Sequence, residues 1–256
     1  MRVFDSHLHI IDYRYPLVEN QGYFPVEFTC ADYLAHARKL GIQGGTVVSG
    51  SFQTFDQTYL RAALQTLGPS FVGVTQLPPS TSDEEILDLD SCGVRAVRFN
   101  LRRGGSAGVI DLDAFARRVH DLAGWHVELY VDARDLEQLS NVLVRLPVVV
   151  IDHLGLSRAG FLMLLRLAEQ GIYVKATGFG RLDFEPGPAL RELARVNPDA
   201  LLFGTDLPST RAPRPFQEQD LHLVMETLAS EIAEKVLYGN AVRLYRPRQE
   251  EPAHSI

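Results

Sequence analysis

The chain has 256 residues, 46% of them apolar and 22% charged, with a net charge of −7. This composition builds one large globular core, and the acidic balance leaves no global positive field for nucleic acid or an anionic membrane, so an anionic partner has to be met by a local cluster. No apolar run reaches the ~20 residues of a membrane span and no leader pattern precedes Val3; Cys30 and Cys92 read as buried thiols of a reducing compartment, so a cytoplasmic protein is expected.

In chain order, the first element is the strand VFDSHLHI, residues 3–10. Residues 11–29, an aromatic stretch containing Tyr23, follow it; loops of that length in compact domains are usually functional lids. Then come the helical pattern CADYLAHARKLG, the strand GGTVVSG, the helical pattern DQTYLRAALQTLG, and the strands SFVGVTQL and VRAVRFN. The helix DLDAFARRVHDLAG leads to the strand WHVELYV, ARDLEQLSNVLVRL to LPVVVIDH, AGFLMLLRLAEQG to GIYVKAT, and GPALRELARV to DALLFGTD. Several helices open near Asp or Ser and close on Gly, the usual residues at those two ends. Strand–helix alternation repeated eight times predicts an α/β fold, a (β/α)8 TIM barrel forming a single domain over 1–256, with two helical patterns in the tail and a frayed end at 246–256. A doubly wound open sheet is the weaker alternative, because no glycine-rich phosphate loop follows the first strand.

Polar residues gather where the strands of such a barrel end. His7 and His9 lie two apart on strand 1 and so share one face. Spacing alone leaves them as metal ligands, as catalytic groups that need no metal, or as polar residues on a wet strand. Strand 2 ends in Ser49 and Ser51, strand 4 in Arg98 and Asn100, strand 5 in Tyr130 and Asp132. Strand 6 ends in Asp152 and His153, strand 7 runs past Lys175 to Arg181, and strand 8 ends in Asp206. Burying so many ionisable groups in one barrel mouth is costly unless they pair or bind something. Arg98, inside an apolar strand, must find an anion. Asp152 reads equally well as a structural partner. His126 falls at the opposite, stability end of strand 5, while His36, His120, His222 and His254 read as surface residues.

Five motifs in order, FDSHLHI, GVRAVRFN, VVVIDHLG, LFGTDLP and EKVLYGNAVRLY, resemble the amidohydrolase superfamily in the branch of 2-pyrone-4,6-dicarboxylate hydrolase and the sugar lactonases, over residues 3 to about 246. The resemblance implies a lactonase of aromatic-acid or sugar-acid catabolism: a hydrolase that opens a small, anionic, carboxylated lactone with activated water. His7, His9, His153 and Asp206 are then catalytic. Asp206 activates the water, and the three histidines polarise the ester carbonyl. On the same pattern Arg98, one of Arg102 and Arg103, Tyr130, Arg181, Ser51 and Tyr23 contact substrate. Arg98 and its neighbours are expected to hold its carboxylate. Metal-binding branches use a strand-5 histidine and a strand-4 lysine or glutamate. Here Tyr130 and Arg98 stand in those places, and neither is a good ligand, so no cofactor is expected; the alternative is one zinc or manganese ion on His7, His9 and Asp206. Leu156 and Ser209 depart from the pattern and bear on the substrate. A lactone isomerase or a metal-dependent decarboxylase would keep the same site. A non-catalytic organic-acid binding protein would need the arginines but not the histidines. A homodimer is compatible with the sequence.

Overall fold

The computed structural model describes residues 1–248; the remainder of the expected frayed end, with His254, lies outside the described residues. Eight parallel strands follow one another in the order β1 (Val3–Leu8), β2 (Ile42–Val48), β3 (Phe71–Thr75), β4 (Val94–Asn100), β5 (His126–Tyr130), β6 (Val149–Ile151), β7 (Tyr173–Ala176) and β8 (Leu201–Phe203). Around and beneath them lie α1 (Cys30–Leu40), α2 (Thr58–Leu67), α3 (Asp83–Ser91), α4 (Leu112–Ala123), α5 (Leu136–Leu143), α6 (Phe161–Glu169), α7 (Pro186–Val196), α8 (Glu218–Thr227), α9 (Ser230–Glu234) and α10 (Asn240–Tyr245). The fold is a (β/α)8 barrel.

Each strand is buried on both faces, which is why it reads as an unbroken β-branched run. The helices pack through one stripe each. In α4 the buried residues are Leu112, Phe115, Ala116 and Val119, one helical face, and Gly124 in the left-handed region ends the helix. Helix α1 opens on a reciprocal cap between Thr29 and Asp32. Helix α3 carries no apolar periodicity that sequence could show, since only Ile86 and Leu89 are buried and its first turn is Asp83–Glu84–Glu85 under a Ser82 cap.

Two apolar layers result. One lies between barrel and helices; the other fills the barrel's lower interior with Phe4, Val48, Val72, Val74, Ala96, Val150 and Leu202, plugged from below by Ala241 and Tyr245 of α10. The barrel closes between β8 and β1 through Asp206 N–H to the His7 carbonyl at 2.7 Å and His9 N–H to the Leu207 carbonyl at 2.8 Å. A Cβ at Gly204 would stand 2.8 Å from the His7 amide nitrogen, so only glycine allows this approach.

The thiols correct an expectation. Cys30 is half-buried and Cys92 exposed, because Cys30 opens α1 beneath the 11–29 loop and Cys92 caps the solvent-facing end of α3. His120 is half-buried, with its ring against the Trp125 carbonyl.

Candidate active site

From the apolar plug upwards, the barrel interior carries a column of ionisable groups. Glu128 is fully buried and receives Tyr245 Oη at 2.6 Å, His126 Nε2 at 3.2 Å and the Lys175 ammonium. Lys175 also lies 3.3 Å from His7 Nδ1 and 3.6 Å from Asp152 Oδ1. Above them Arg98 donates through Nε and NH2 to Asp152 Oδ2 at 3.1 and 2.8 Å, and through NH1 to the Ser49 carbonyl at 2.9 Å. The anion that Arg98 needs is therefore supplied first by Asp152, inside the protein. Burial would raise the Asp152 carboxyl, but the Arg98 guanidinium and then the Lys175 ammonium outweigh it and hold it well below the usual carboxylate range.

At the mouth stand His7, His9, His153 and Asp206, all buried. His9 donates from Nδ1 to the Val48 carbonyl at 2.7 Å, and its Nε2 lies 3.7 Å from Asp206 Oδ1. His7 Nε2 lies 3.9 Å from the same oxygen. The other Asp206 oxygen takes the Arg181 Nε–H at 2.7 Å. Burial pushes His7 down to about 3, helped by the Lys175 charge, so its imidazole is neutral. His153 is likewise held well below its ordinary value by burial. Asp206 would be raised by burial alone; the Arg181 guanidinium against it outweighs this and keeps it ionised, well below the usual range. His153 and Asp206 sit at φ 51° and 63°, left-handed conformations that cost non-glycine residues ~1–3 kcal/mol and that cluster at functional sites.

Three atoms meet at this point: His7 Nε2 and Asp206 Oδ1, which are buried without a hydrogen-bond partner, and His9 Nε2, 3.7 Å from Asp206 Oδ1. They converge on one small space and also form a candidate ligand set. Separations of 3.7 and 3.9 Å are close to those between ligands held at ~2.0–2.2 Å from one ion, so the three fit a single divalent cation with open positions. His7, Asp152 and His153 form a second such set, but it shares His7 with the first and its Asp152 is paired with Arg98 and lies 3.6 Å from Lys175.

The pocket above is lined by His9, Ser51, Arg98, Asn100, Arg103, Tyr130, His153, Arg181 and Arg211, with Gly50, Phe52 and Thr210 between them. Of the two arginines after β4, Arg103 faces the pocket, whereas Arg102 is exposed and lies 3.3 Å from Asp132. Ser51 donates to Asn20 Oδ1 at 3.1 Å, and Tyr23 sits at the rim beneath the Arg211 guanidinium. Loop 11–29 folds back across the mouth through the Ile11–Phe28 and Asn20–Tyr23 bridges. Leu156 is buried at φ 67°, and Ser209 accepts the Phe216 N–H at 2.9 Å; neither contributes a charge. Glu128, Lys175 and Arg211 escaped the sequence reading as site residues. Their partners lie on other strands and loops, and only the inward-facing alternation of β5 and β7 hinted at the first two.

An amidohydrolase family model matches residues 4–246. The chain is 28% identical to a 2-pyrone-4,6-dicarboxylate hydrolase of Comamonas testosteroni, over 96% of this chain and 90% of that protein. It is 26% identical to a 4-sulfomuconolactone hydrolase of Rhizobium radiobacter, over 94% and 89%. The crystal structure of a probable 2-pyrone-4,6-dicarboxylic acid hydrolase from Acinetobacter baumannii with citric acid bound has the same fold, with a TM-score of 0.83, 23% identity, and 96% and 100% of the two chains covered.

Proposed function

The chain belongs to the amidohydrolase family, and on that premise we propose that it hydrolyses a small lactone bearing an acid group, by attack of water on the ring ester. The curated relatives support the reaction class, since both are named for opening a cyclic ester that carries acid groups. The observation that carries the reading is the convergence on one space of His7 Nε2 and Asp206 Oδ1, neither with a partner, and of His9 Nε2, 3.7 Å from the same carboxylate oxygen.

A water there meets complementary groups. Asp206 Oδ1 accepts one of its hydrogens, and His9 Nε2, in the neutral ring that donates from Nδ1 to Val48, accepts the other. With His7 Nδ1 accepting from Lys175 at 3.3 Å rather than donating to Asp152 Oδ1 at 3.4 Å, Nε2–H is the donor to one lone pair, and the other lone pair faces the substrate. On this reading His7 and His9 both attend the water, where the sequence alone led us to expect them on the carbonyl; the Val48 carbonyl, which accepts only from Nδ1–H of His9, supports the change for His9. As the water oxygen bonds to the ester carbon, its proton passes to Asp206. The carbonyl oxygen gains charge against donors already in place, His153, Tyr130 and Arg181. Collapse breaks the bond to the ring oxygen, which leaves with the proton from Asp206.

If the protein carries a divalent metal, His7, His9 and Asp206 hold it, and it supplies Lewis-acid polarisation and a more acidic water. The surrounding charge weighs against one: Arg98, Lys175, Arg181, Arg103 and Arg211 face only Glu128, Asp152 and Asp206. The reading is tested with a panel of carboxylated and uncharged lactones on metal-stripped and metal-loaded protein. The stripped wild type should open a carboxylated member, and Asp206→Asn should lose about 100-fold or more in turnover with its fold intact. Activity that depends on added metal would replace the metal-free mechanism, and no opening of any member would end the reading.

A further inference from the structure

We propose that Arg211 selects the substrate: its guanidinium binds the acid group of the lactone and, through the same contact, pins loop 11–29 shut over the bound ring. The inference rests on the lactone reading and adds a residue outside the set implied by resemblance.

Charge balance singles out the rim. Arg98 and Arg181 line the pocket but are matched by Asp152 and Asp206. Among the described residues Arg103 and Arg211 pair with no carboxylate; their side chains meet only amide and carbonyl oxygens, Gln21 Oε1 at 3.4 Å from Arg103, and Asn20 Oδ1 at 3.1 Å with the Asn20 carbonyl from Arg211. Two half-buried guanidiniums thus share a pocket without a counter-ion. Burial and then the Arg103 charge lower Arg211 from its ordinary value, although it stays cationic. An acid group on the substrate supplies the missing charge, and a guanidinium fork takes a carboxylate through two parallel bonds.

The same side chain ties the loop. Arg211 stacks over the Tyr23 ring at 4.4 Å and donates to Asn20, and Asn20 in turn receives Ser51 Oγ and donates to the Arg103 carbonyl at 3.2 Å. Arg211 holds φ 58°, a left-handed backbone that aims the side chain inwards at some conformational cost. As it stands the cavity measures about 30 Å³, against the ~300 Å³ or more that a ring-bearing ligand fills. The cover therefore parts to admit substrate, and the Asn20–Arg211 contact is where its two halves meet. An anion on Arg211 offsets the Arg103–Arg211 repulsion that otherwise weakens the closed form.

The test measures binding of pyridine-2,4-dicarboxylate, a flat dianion with no ester, by calorimetry, and lactone kinetics in parallel. Arg211→Met, which removes both the charge and the tie, should weaken the dianion about 10- to 100-fold and raise KM for carboxylated lactones by the same order, well beyond the rise for uncharged lactones, which should match that of the tie alone. Arg211→Lys should recover part of the loss, and Asn20→Ala, which cuts the tie and keeps the charge, should raise KM for both substrate types. Equal effects of Arg211→Met on charged and uncharged lactones, or unchanged dianion binding by a folded variant, would overturn the proposal. Wild-type protein that binds the dianion through Arg211 yet opens no lactone would refute the hydrolase reading and leave the anion site standing.

Discussion

Arg98 has 3% of its side chain exposed and spends two of its donor groups on Asp152, so its first task is to neutralise a buried carboxylate. Removing one partner of such a pair leaves the other charge stranded in a low-dielectric interior, a loss of about 3–5 kcal/mol. Arg98→Met should therefore lower the urea midpoint of unfolding well beyond any effect on substrate binding. Arg102→Met, at a side chain 40% exposed beside Asp132, should cost about 1 kcal/mol or less. An Arg98→Met protein as stable as wild type would mean that Asp152 finds compensation elsewhere. The sequence made Arg98 conspicuous, as a charge inside an apolar run, but could not say which anion it meets. That anion is 54 positions away, on the loop after β6.

The meeting of β8 with β1 positions the chemistry, because the hydrogen bond that closes the barrel joins the Asp206 amide to the His7 carbonyl. Gly204 makes this possible. A methyl there would press on the His7 backbone at 2.8 Å and on its Cβ at 3.0 Å, where neither can retreat without opening the seam. Gly204→Ala should thus cost roughly 1–3 kcal/mol in thermal unfolding, the usual scale of overpacking, and lose activity in parallel as the His7–Asp206 spacing widens. Unchanged melting and unchanged turnover would show the seam to be slack. Most elements were legible in sequence for one reason: parallel strands covered on both faces leave continuous β-branched runs, and the helices between them keep an apolar stripe. Helix α3 was not, being short, acidic and buried at two positions. The histidines and Asp206 were legible as strand-end residues. Glu128, Lys175 and Arg211 were not, because their meaning lies in partners on other strands and loops: Lys175 meets Glu128 47 positions away, and Arg211 meets Asn20 191 positions away.

The whole molecule folds three imidazoles into its interior in neutral form: His7, pushed down to about 3, and His126 and His153, both lowered mainly by burial. Unfolding returns each to its ordinary value near 6.5. Below that value the unfolded chain binds up to three protons that the native chain does not, against the one that native Asp5, raised to about 6 by burial, retains, so on balance stability rises with pH across this window and falls on acidification. Each such histidine contributes a slope of about 1.4 kcal/mol per pH unit. Urea titrations between about pH 7.5 and 5 should show this loss, and His126→Gln, far from the mouth, should make the slope shallower. A flat profile would mean that these rings are charged in the native state. The chemistry at the top of this interior is water attacking a ring ester, and isotopic labelling tests it most directly. Wild-type protein acting on a carboxylated lactone in water enriched in oxygen-18 should place one labelled oxygen in the newly formed carboxylate and none in the released hydroxyl. Product formed without label, as an isomer or a decarboxylated acid, would contradict the account.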